Sequence, residues 1–245
     1  LKEINHIIAS DSKDTTYKFA LLRSVIETIQ EFEHYISFNE DKVFAPLGLL
    51  VYKWLIFYYP IIDSELFIPQ KHGESENPRL RGGLAFRRNF KQLAGYYSEH
   101  SNKQVFFQEI KSADVSGDIA EVFGDLCNSI RKTIKDQPMR YLGRSINNRE
   151  YSIFQCDELP QWRNHKPKNL EELIDKSGTF YFDRKYYEIF YYMGSFLTGL
   201  DSIVLNWAKF TNELTDDKLL SETDLINKLI EYPNEERDVK DAREF

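Results

Sequence analysis

A triplet near residue 183 has the residue types of a metal-dependent nuclease site. In such sites two carboxylates hold Mg²⁺, and a nearby lysine helps to position the attacking water. Asp183-Arg184-Lys185 follows the strand-like residues 180–182, and Asp157 and Glu158 lie upstream. Asp183 also suits the N-cap of a following helix. A self-contained nuclease that uses Asp183, Lys185 and either Asp157 or Glu158 is therefore one hypothesis.

A second triplet of this kind, Glu109-Ile110-Lys111, follows the β-prone residues 105–107. The first carboxylate of such a site usually lies upstream, yet Asp and Glu are absent from residues 78–98. Triplets this short also arise by chance in a chain of which 29% is charged. The pattern alone is therefore weak support for catalysis.

Other residue types that bind metals or phosphates are scattered. The five histidines are neither paired at i, i+4 nor placed beside a cysteine pair. Arg81-Gly82-Gly83-Leu84 lacks the Lys and the Ser or Thr of a P-loop. A Ser-His-Asp or Cys-His nucleophile stays open, because its members need not be close in sequence. We predict no catalytic residue, no metal ligand and no cofactor in this chain.

Basic residues are concentrated between Arg79 and Lys168. This segment has 16 Lys and Arg against 10 Asp and Glu, whereas the whole chain has 32 against 39 and a formal net charge of −7. Cations aligned on one face bind polyanions because they release counterions from phosphate. Solvated loop charge is the ordinary alternative. We predict contact with double-stranded DNA through three clusters: Arg79, Arg81, Arg87, Arg88 and Lys91; Arg140, Arg144 and Arg149; and Arg163, Lys166 and Lys168.

The composition is that of a globular protein. Of 245 residues, 42% are hydrophobic and 15% aromatic, which excludes a disordered tail. Cys127 and Cys156 are predicted to be free thiols in a reducing compartment. The most apolar run, residues 47–59, is shorter than the roughly 20 residues of a bilayer span, and the first residues do not resemble a signal peptide. We expect a cytoplasmic protein without a membrane segment.

Hydrophobic periodicity predicts a mainly α fold with a small β hairpin or sheet near residues 150–182. The predicted helices begin at Ser12 or Asp14, run from Leu47 to a stop at Pro60, and cover 84–97, 118–135 and about seven turns of 183–210. Short helices capped by Asn169 and Ser221 complete the pattern. Residues 70–83 are predicted to form an exposed loop.

Three regions follow from this pattern. Residues 1–137 are a helical region with the basic loop and helix, and residues 138–230 hold the β element and a long C-terminal helix. We expect these two regions to pack as one unit. Residues 231–245 start a helical pattern, and we expect it to lead into a further domain.

Several short aromatic-rich segments together resemble the N-terminal region of bacterial proteins with an HNH endonuclease domain. The resemblance covers most of the chain, and the last segment looks like the lead-in to the nuclease module. The segments that carry it are Thr16-Tyr17-Lys18-Phe19-Ala20-Leu21-Leu22-Arg23, Lys53-Trp54-Leu55, Tyr58-Tyr59-Pro60, Ile68-Pro69-Gln70, Trp207-Ala208-Lys209-Phe210 and residues 236–245.

The resemblance implies a DNA-recognition region of a restriction-like enzyme, with roles in restriction-modification and phage defence. In that family a ββα-metal nuclease follows this region, so a divalent metal is expected there and not in this chain. No catalytic residue is carried over, because the HNH motif does not occur in this sequence. A homodimer is compatible with this role. A protein-interaction module with a solvated basic cluster is the remaining alternative.

Overall fold

The computed structural model describes residues 2, 4, 6, 14–77, 83–115, 117–143, 153–162, 165–198, 203–215 and 220–233. It is mainly helical with a small antiparallel sheet, which confirms the predicted fold class. The helices are α1 (Tyr17–Glu31), α2 (Leu47–Ile62), α3 (Arg87–His100), α4 (Lys103–Ser112), α5 (Ala120–Asp136), α6 (Pro138–Tyr141), α7 (Leu170–Lys176), α8 (Arg184–Thr198), α9 (Ile203–Leu214) and α10 (Glu222–Leu229). The strands are β1 (Ser37–Asn39), β2 (Lys42–Pro46), β3 (Phe154–Cys156) and β4 (Thr179–Asp183).

Helix α2 is the centre of the molecule, and all 16 of its residues are buried. The prediction that this helix stops at Pro60 was wrong, because it continues to Ile62. A proline inside a helix costs about 3 kcal/mol. Burial of Ile61 and Ile62 contributes roughly 1.5–3 kcal/mol each, which offsets that cost. One hydrophobic core surrounds α2 and includes side chains from α1 to α10.

The four-stranded sheet has the order β1-β2-β4-β3 with antiparallel neighbours. The predicted runs form its β3 and β4, and Phe154 lies opposite Phe182. The β1-β2 hairpin was not predicted. Residues 37–39 are all exposed, so they lack the alternation of a half-buried strand. This sheet joins a segment before α2 to the chain after residue 153.

Several element boundaries differ from the predictions. Helix α1 begins at Tyr17 and not at Ser12 or Asp14; Ser12 itself lies outside the described residues. The β-prone residues 105–107 belong to helix α4, which Asn102 caps by accepting a hydrogen bond from the Val105 N–H. The long helix predicted over 183–210 is described as two helices, α8 and α9, with residues 199–202 outside the described part.

Two predicted caps are confirmed. The Asn169 side chain accepts from the Glu172 N–H at the start of α7. Ser221 and Asp224 form a capping box at the start of α10. Both signals are local, because the side chain and the N–H that it satisfies lie within one turn.

Candidate nucleic-acid interface

The carboxylates of the nuclease hypothesis lie at opposite ends of the sheet. Asp183 is the last residue of β4, whereas the Asp157 N–H donates to the Thr179 carbonyl at the first residue of that strand. Four residues of an extended strand separate the two ends by roughly 13 Å. Asp183 forms an ion pair with Lys42. Asp183 and Asp157 are therefore not placed to share one Mg²⁺.

The second triplet is helical and not on a strand. Glu109 lies in α4, and its carboxylate accepts a hydrogen bond from the Tyr97 hydroxyl at 2.5 Å. Within the described part of the chain, no three His, Cys, Asp or Glu side chains are grouped so that they could hold a metal ion. The arrangement of these residues thus gives no support to a nuclease site in this part of the chain.

A buried carboxylate, Glu74, organises the segment before α3. Its side chain has no exposed surface. Oε1 accepts from the Leu84 N–H at 3.0 Å and from Arg87 Nε at 2.6 Å. Oε2 accepts from the Gln70 N–H at 2.7 Å and from Arg87 Nη2 at 3.2 Å. Arg87 Nη2 also donates to the Ile68 carbonyl at 2.8 Å.

This ion pair fixes both ends of the segment that carries Arg79 and Arg81. Glu74 holds the chain before the segment, and Leu84 and Arg87 hold the chain after it. Residues 78–82 themselves lie outside the described part. A single carboxylate therefore determines where the basic segment leaves and rejoins the helical core.

Gln70 connects this anchor to α1, α2 and α9. Its side chain accepts from Trp207 Nε1 at 2.8 Å and donates to Thr211 Oγ1 at 3.2 Å. Its carbonyl accepts from the Thr16 N–H at 3.0 Å, and the Thr16 and Tyr58 hydroxyls share a hydrogen bond. Burial raises the pKa of Tyr58 well above its ordinary value, so the hydroxyl keeps its proton.

Five of the segments that carry the HNH resemblance meet in this network. The ring of Tyr17 stacks on Trp54 at 5.5 Å, and Phe19 lies 6.3 Å from Phe210. The indole of Trp207 contacts Tyr58 at 5.4 Å. These side chains are buried. Their packing and hydrogen bonds together hold the loop of residues 68–74.

The first cation cluster separates into an inner and an outer part. Arg87 is nearly buried, pairs with Glu74 and lies 4.8 Å from the ring of Phe67, so its position is that of a structural residue. Arg88 and Lys91 are exposed on the first turns of α3. Residues 87–98 contain no Asp or Glu, which leaves this surface positively charged.

The other two clusters are only partly described. Arg144, Arg149 and Arg163 lie outside the described residues. Arg140 is exposed on α6, and its guanidinium lies 5.5 Å from the ring of Tyr141.

The third cluster contains one restrained and one exposed lysine. Lys166 is fixed by ion pairs to Glu121 and Asp125, and its stem packs against Gly124 of α5. These carboxylates raise the pKa of Lys166, first through the hydrogen bond that Lys166 donates to Asp125. Lys168 is exposed just before α7.

The burial of three polar residues was not predicted from the sequence. Residues 70–83 were predicted to form an exposed loop, yet the side chains of Gln70 and Glu74 are buried. Arg131, near the C-terminal end of α5, is buried with its guanidinium 3.5 Å from the ring of Trp162, and it donates to the Pro160 carbonyl. A polar loop sequence gives no signal that one of its carboxylates will meet a buried arginine.

Comparison with known proteins adds a family and no activity. Residues 1–229 match a family model described as a domain of unknown function. No curated protein and no solved structure matches the chain. None of the described helices combines the length and the apolar character needed to cross a bilayer. Because the match covers nearly the whole chain, the protein belongs to the DUF8808 family.

Proposed function

We propose that this chain is the DNA-binding and recognition region of an HNH-type, restriction-like endonuclease. The observation that carries the proposal is the Glu74–Arg87 anchor, with Arg79 and Arg81 in the segment that it closes. Arg88 and Lys91 follow on the exposed side of α3. Loops fixed on a rigid scaffold are the usual carriers of binding residues. Arginine reads guanine bidentately, and lysine neutralises phosphate.

The resemblance of the buried segments supports the same role. A small ββα-metal nuclease contacts mainly the DNA backbone, so its sequence preference has to come from attached structure. The core network supports this role, since Gln70 is bonded to α9 and Glu74 to Arg87 of α3. A divalent metal, a restriction-modification role and phage defence belong to the proposed parent enzyme.

The test is binding of a fluorescently labelled duplex of mixed sequence, measured by anisotropy between about 50 and 200 mM salt. Replacing Arg88 and Lys91 by Ala should weaken binding about 10-fold. It should also reduce the slope of log K against log salt by about 2, because two phosphate contacts are lost. The variant Arg79→Ala/Arg81→Ala should alter the preference among duplex sequences.

A matched control changes the same charge elsewhere. Arg184 and Lys185 are exposed on α8, so Arg184→Ala/Lys185→Ala removes two cations from another surface. This variant should bind DNA as the unchanged protein does. An equal loss in both double variants, or no binding at low salt, contradicts the proposal.

An exposed row of rings favours protein interaction as the second candidate function. Phe38, Tyr187, Tyr191 and Tyr192 are linked in that order by ring contacts of 5.0, 5.7 and 5.2 Å. Tyr192 is 78% exposed. Glu33 interacts electrostatically with Tyr187, and Glu188 follows Tyr187 on α8. Because carboxylates accompany these rings, this surface is less suited to DNA than α3 is. A partner captured through these rings would be lost in Tyr192→Ala and kept in Arg88→Ala/Lys91→Ala.

A further inference from the structure

A charged cluster is buried between α1 and α2. Arg23 and Lys53 are 3% and 1% exposed. Arg23 Nε donates to Glu27 Oε1 at 2.7 Å, and Lys53 Nζ lies 3.0 Å from Glu27 Oε2 and 2.7 Å from Glu31 Oε2. We call Arg23, Glu27 and Lys53 the ion cluster. Glu27 and Glu31 balance the two cations, and the Nη groups of Arg23 still need acceptors.

The last residue of α10 and the chain after it supply those acceptors. Arg23 Nη1 donates to the Leu229 carbonyl at 2.6 Å, and Nη2 donates to the Tyr232 hydroxyl at 3.2 Å. The Tyr232 ring lies 5.6 Å from Arg23 Cζ and 5.5 Å from Lys53 Nζ. Tyr232 therefore covers the cluster and satisfies it.

The same segment reaches a third helix. Glu231 forms an ion pair with Lys103 at the start of α4. Tyr232 and Pro233 line a small cavity of about 10 Å³ together with Ile56 and Phe107. Residues 230–233, which we call the strap, thus tie α1, α2 and α4 together by contacts that cross the surface of α2.

Partial displacement of the strap would break hydrogen bonds to Arg23 before water can replace them. A buried guanidinium that loses its acceptors keeps the full desolvation penalty, whereas a partly displaced apolar contact loses its energy gradually. We propose that the strap opens and closes over the ion cluster as one unit, independently of global unfolding. This inference does not depend on the proposed function.

Amide hydrogen exchange of the full chain, followed by peptide mass spectrometry, tests the proposal. Tyr232→Ala should speed exchange in residues 225–233 by about 10-fold or more and leave residues 87–97 unchanged. Labelling of Lys53 by an amine reagent should rise in parallel, because the Tyr232 ring no longer covers the amine. Tyr192→Ala removes an exposed tyrosine from α8 and should change neither readout.

A second experiment changes the ion cluster instead of the strap. Arg23→Met should speed exchange in the strap, and the combination with Tyr232→Ala should add little, since each removes the same contact. If Arg23→Met fails to fold, Arg23→Lys keeps the charge and loses the second donor, with the same expected exchange in the strap. Exchange that rises uniformly along the chain, strap exchange that stays unchanged, or effects of the two substitutions that simply add, would overturn the proposal.

Discussion

Two buried residues of opposite charge, Glu74 and Arg23, bind backbone groups of other segments to the same helical core. Glu74 is a carboxylate that accepts backbone N–H groups from both sides of a basic segment. Arg23 is a guanidinium that donates to the carbonyl of Leu229 and to the Tyr232 hydroxyl. The carboxylate side chain of Glu74 has no exposed surface, whereas Tyr232 keeps 39% of its surface exposed. The first anchor is enclosed by protein, and the second can open to water.

The comparison also shows why charge counted along a sequence overstates a surface field. Arg87 and Arg131 belong to the basic segment between residues 79 and 168, yet both are buried and bonded to protein. Lys166 is neutralised by two carboxylates. Buried arginines stabilise the fold here and are not available to DNA. The expected DNA contact therefore depends on fewer cations than the sequence count gives, namely the exposed Arg88, Lys91, Arg140 and Lys168.

The largest expected effect comes from breaking the enclosed anchor. Glu74→Ala leaves Arg87 as an uncompensated buried cation and two N–H groups without an acceptor. The free energy of unfolding should fall by about 3–5 kcal/mol. Urea unfolding measures the change, and Glu76→Ala, an exposed glutamate of the same segment, is the control. A loss below about 1 kcal/mol would show that Glu74 is not an anchor.

Arg131→Ala removes a cation from the face of Trp162 and a donor from the Pro160 carbonyl. The expected loss is about 2 kcal/mol, the sum of a desolvated cation–π contact and a hydrogen bond. Its neighbour Lys132 is exposed, and Lys132→Ala should leave the urea midpoint unchanged. Equal midpoints for both variants would contradict the buried role of Arg131.

Acid should lower the free energy of unfolding by less than the two substitutions above. Protonation of Glu27 removes a charge but leaves every atom of the ion cluster in place. Burial alone would raise the pKa of Glu27, but the Arg23 and Lys53 cations outweigh it and hold the pKa below the ordinary value of 4.5. The stabilisation from Glu27 is therefore fully present above pH 4.5 and is lost as the pH falls through the lowered pKa. Unfolding free energies of the unchanged protein and of Glu27→Gln, measured across this range, should converge at low pH. Curves that stay parallel would contradict this assignment.

The smallest effect on stability is expected for the exposed cations. Arg88→Ala/Lys91→Ala should change the free energy of unfolding by less than about 0.5 kcal/mol, since these side chains are solvated. Thermal and urea unfolding of this variant should match those of the unchanged protein. A clear loss of stability would mean that Arg88 and Lys91, like Arg87, hold the fold together.

Local patterns in the sequence were sufficient for part of the fold. The caps at Asn169 and Ser221, the buried helix from Leu47 and the pairing of two runs near 154 and 180 were all predicted, because each depends on neighbours in the chain or on strong periodicity. Pro60 inside α2 was not predicted, because the burial that offsets its cost comes from other elements.

The candidate site divides in the same way. Composition alone shows that residues 79–91 are basic. The 3.6-residue period shows that Arg88 and Lys91 lie off the apolar stripe of a helix. The burial of Arg87 does not follow, since Arg87 and Arg88 are equivalent by residue type. A carboxylate 13 positions before Arg87 decides between them by pairing with one guanidinium.

The sequence by itself thus determined which residues are charged, which helices form and where two of them are capped, because these properties depend on residue type and on contacts within a turn or two. Only the tertiary structure decided which charges are buried. Burying an ion is favourable only when a partner from elsewhere in the chain meets it in the right geometry. Glu74 meets Arg87 in this way, and Arg23 meets Tyr232 of the strap, 209 residues away.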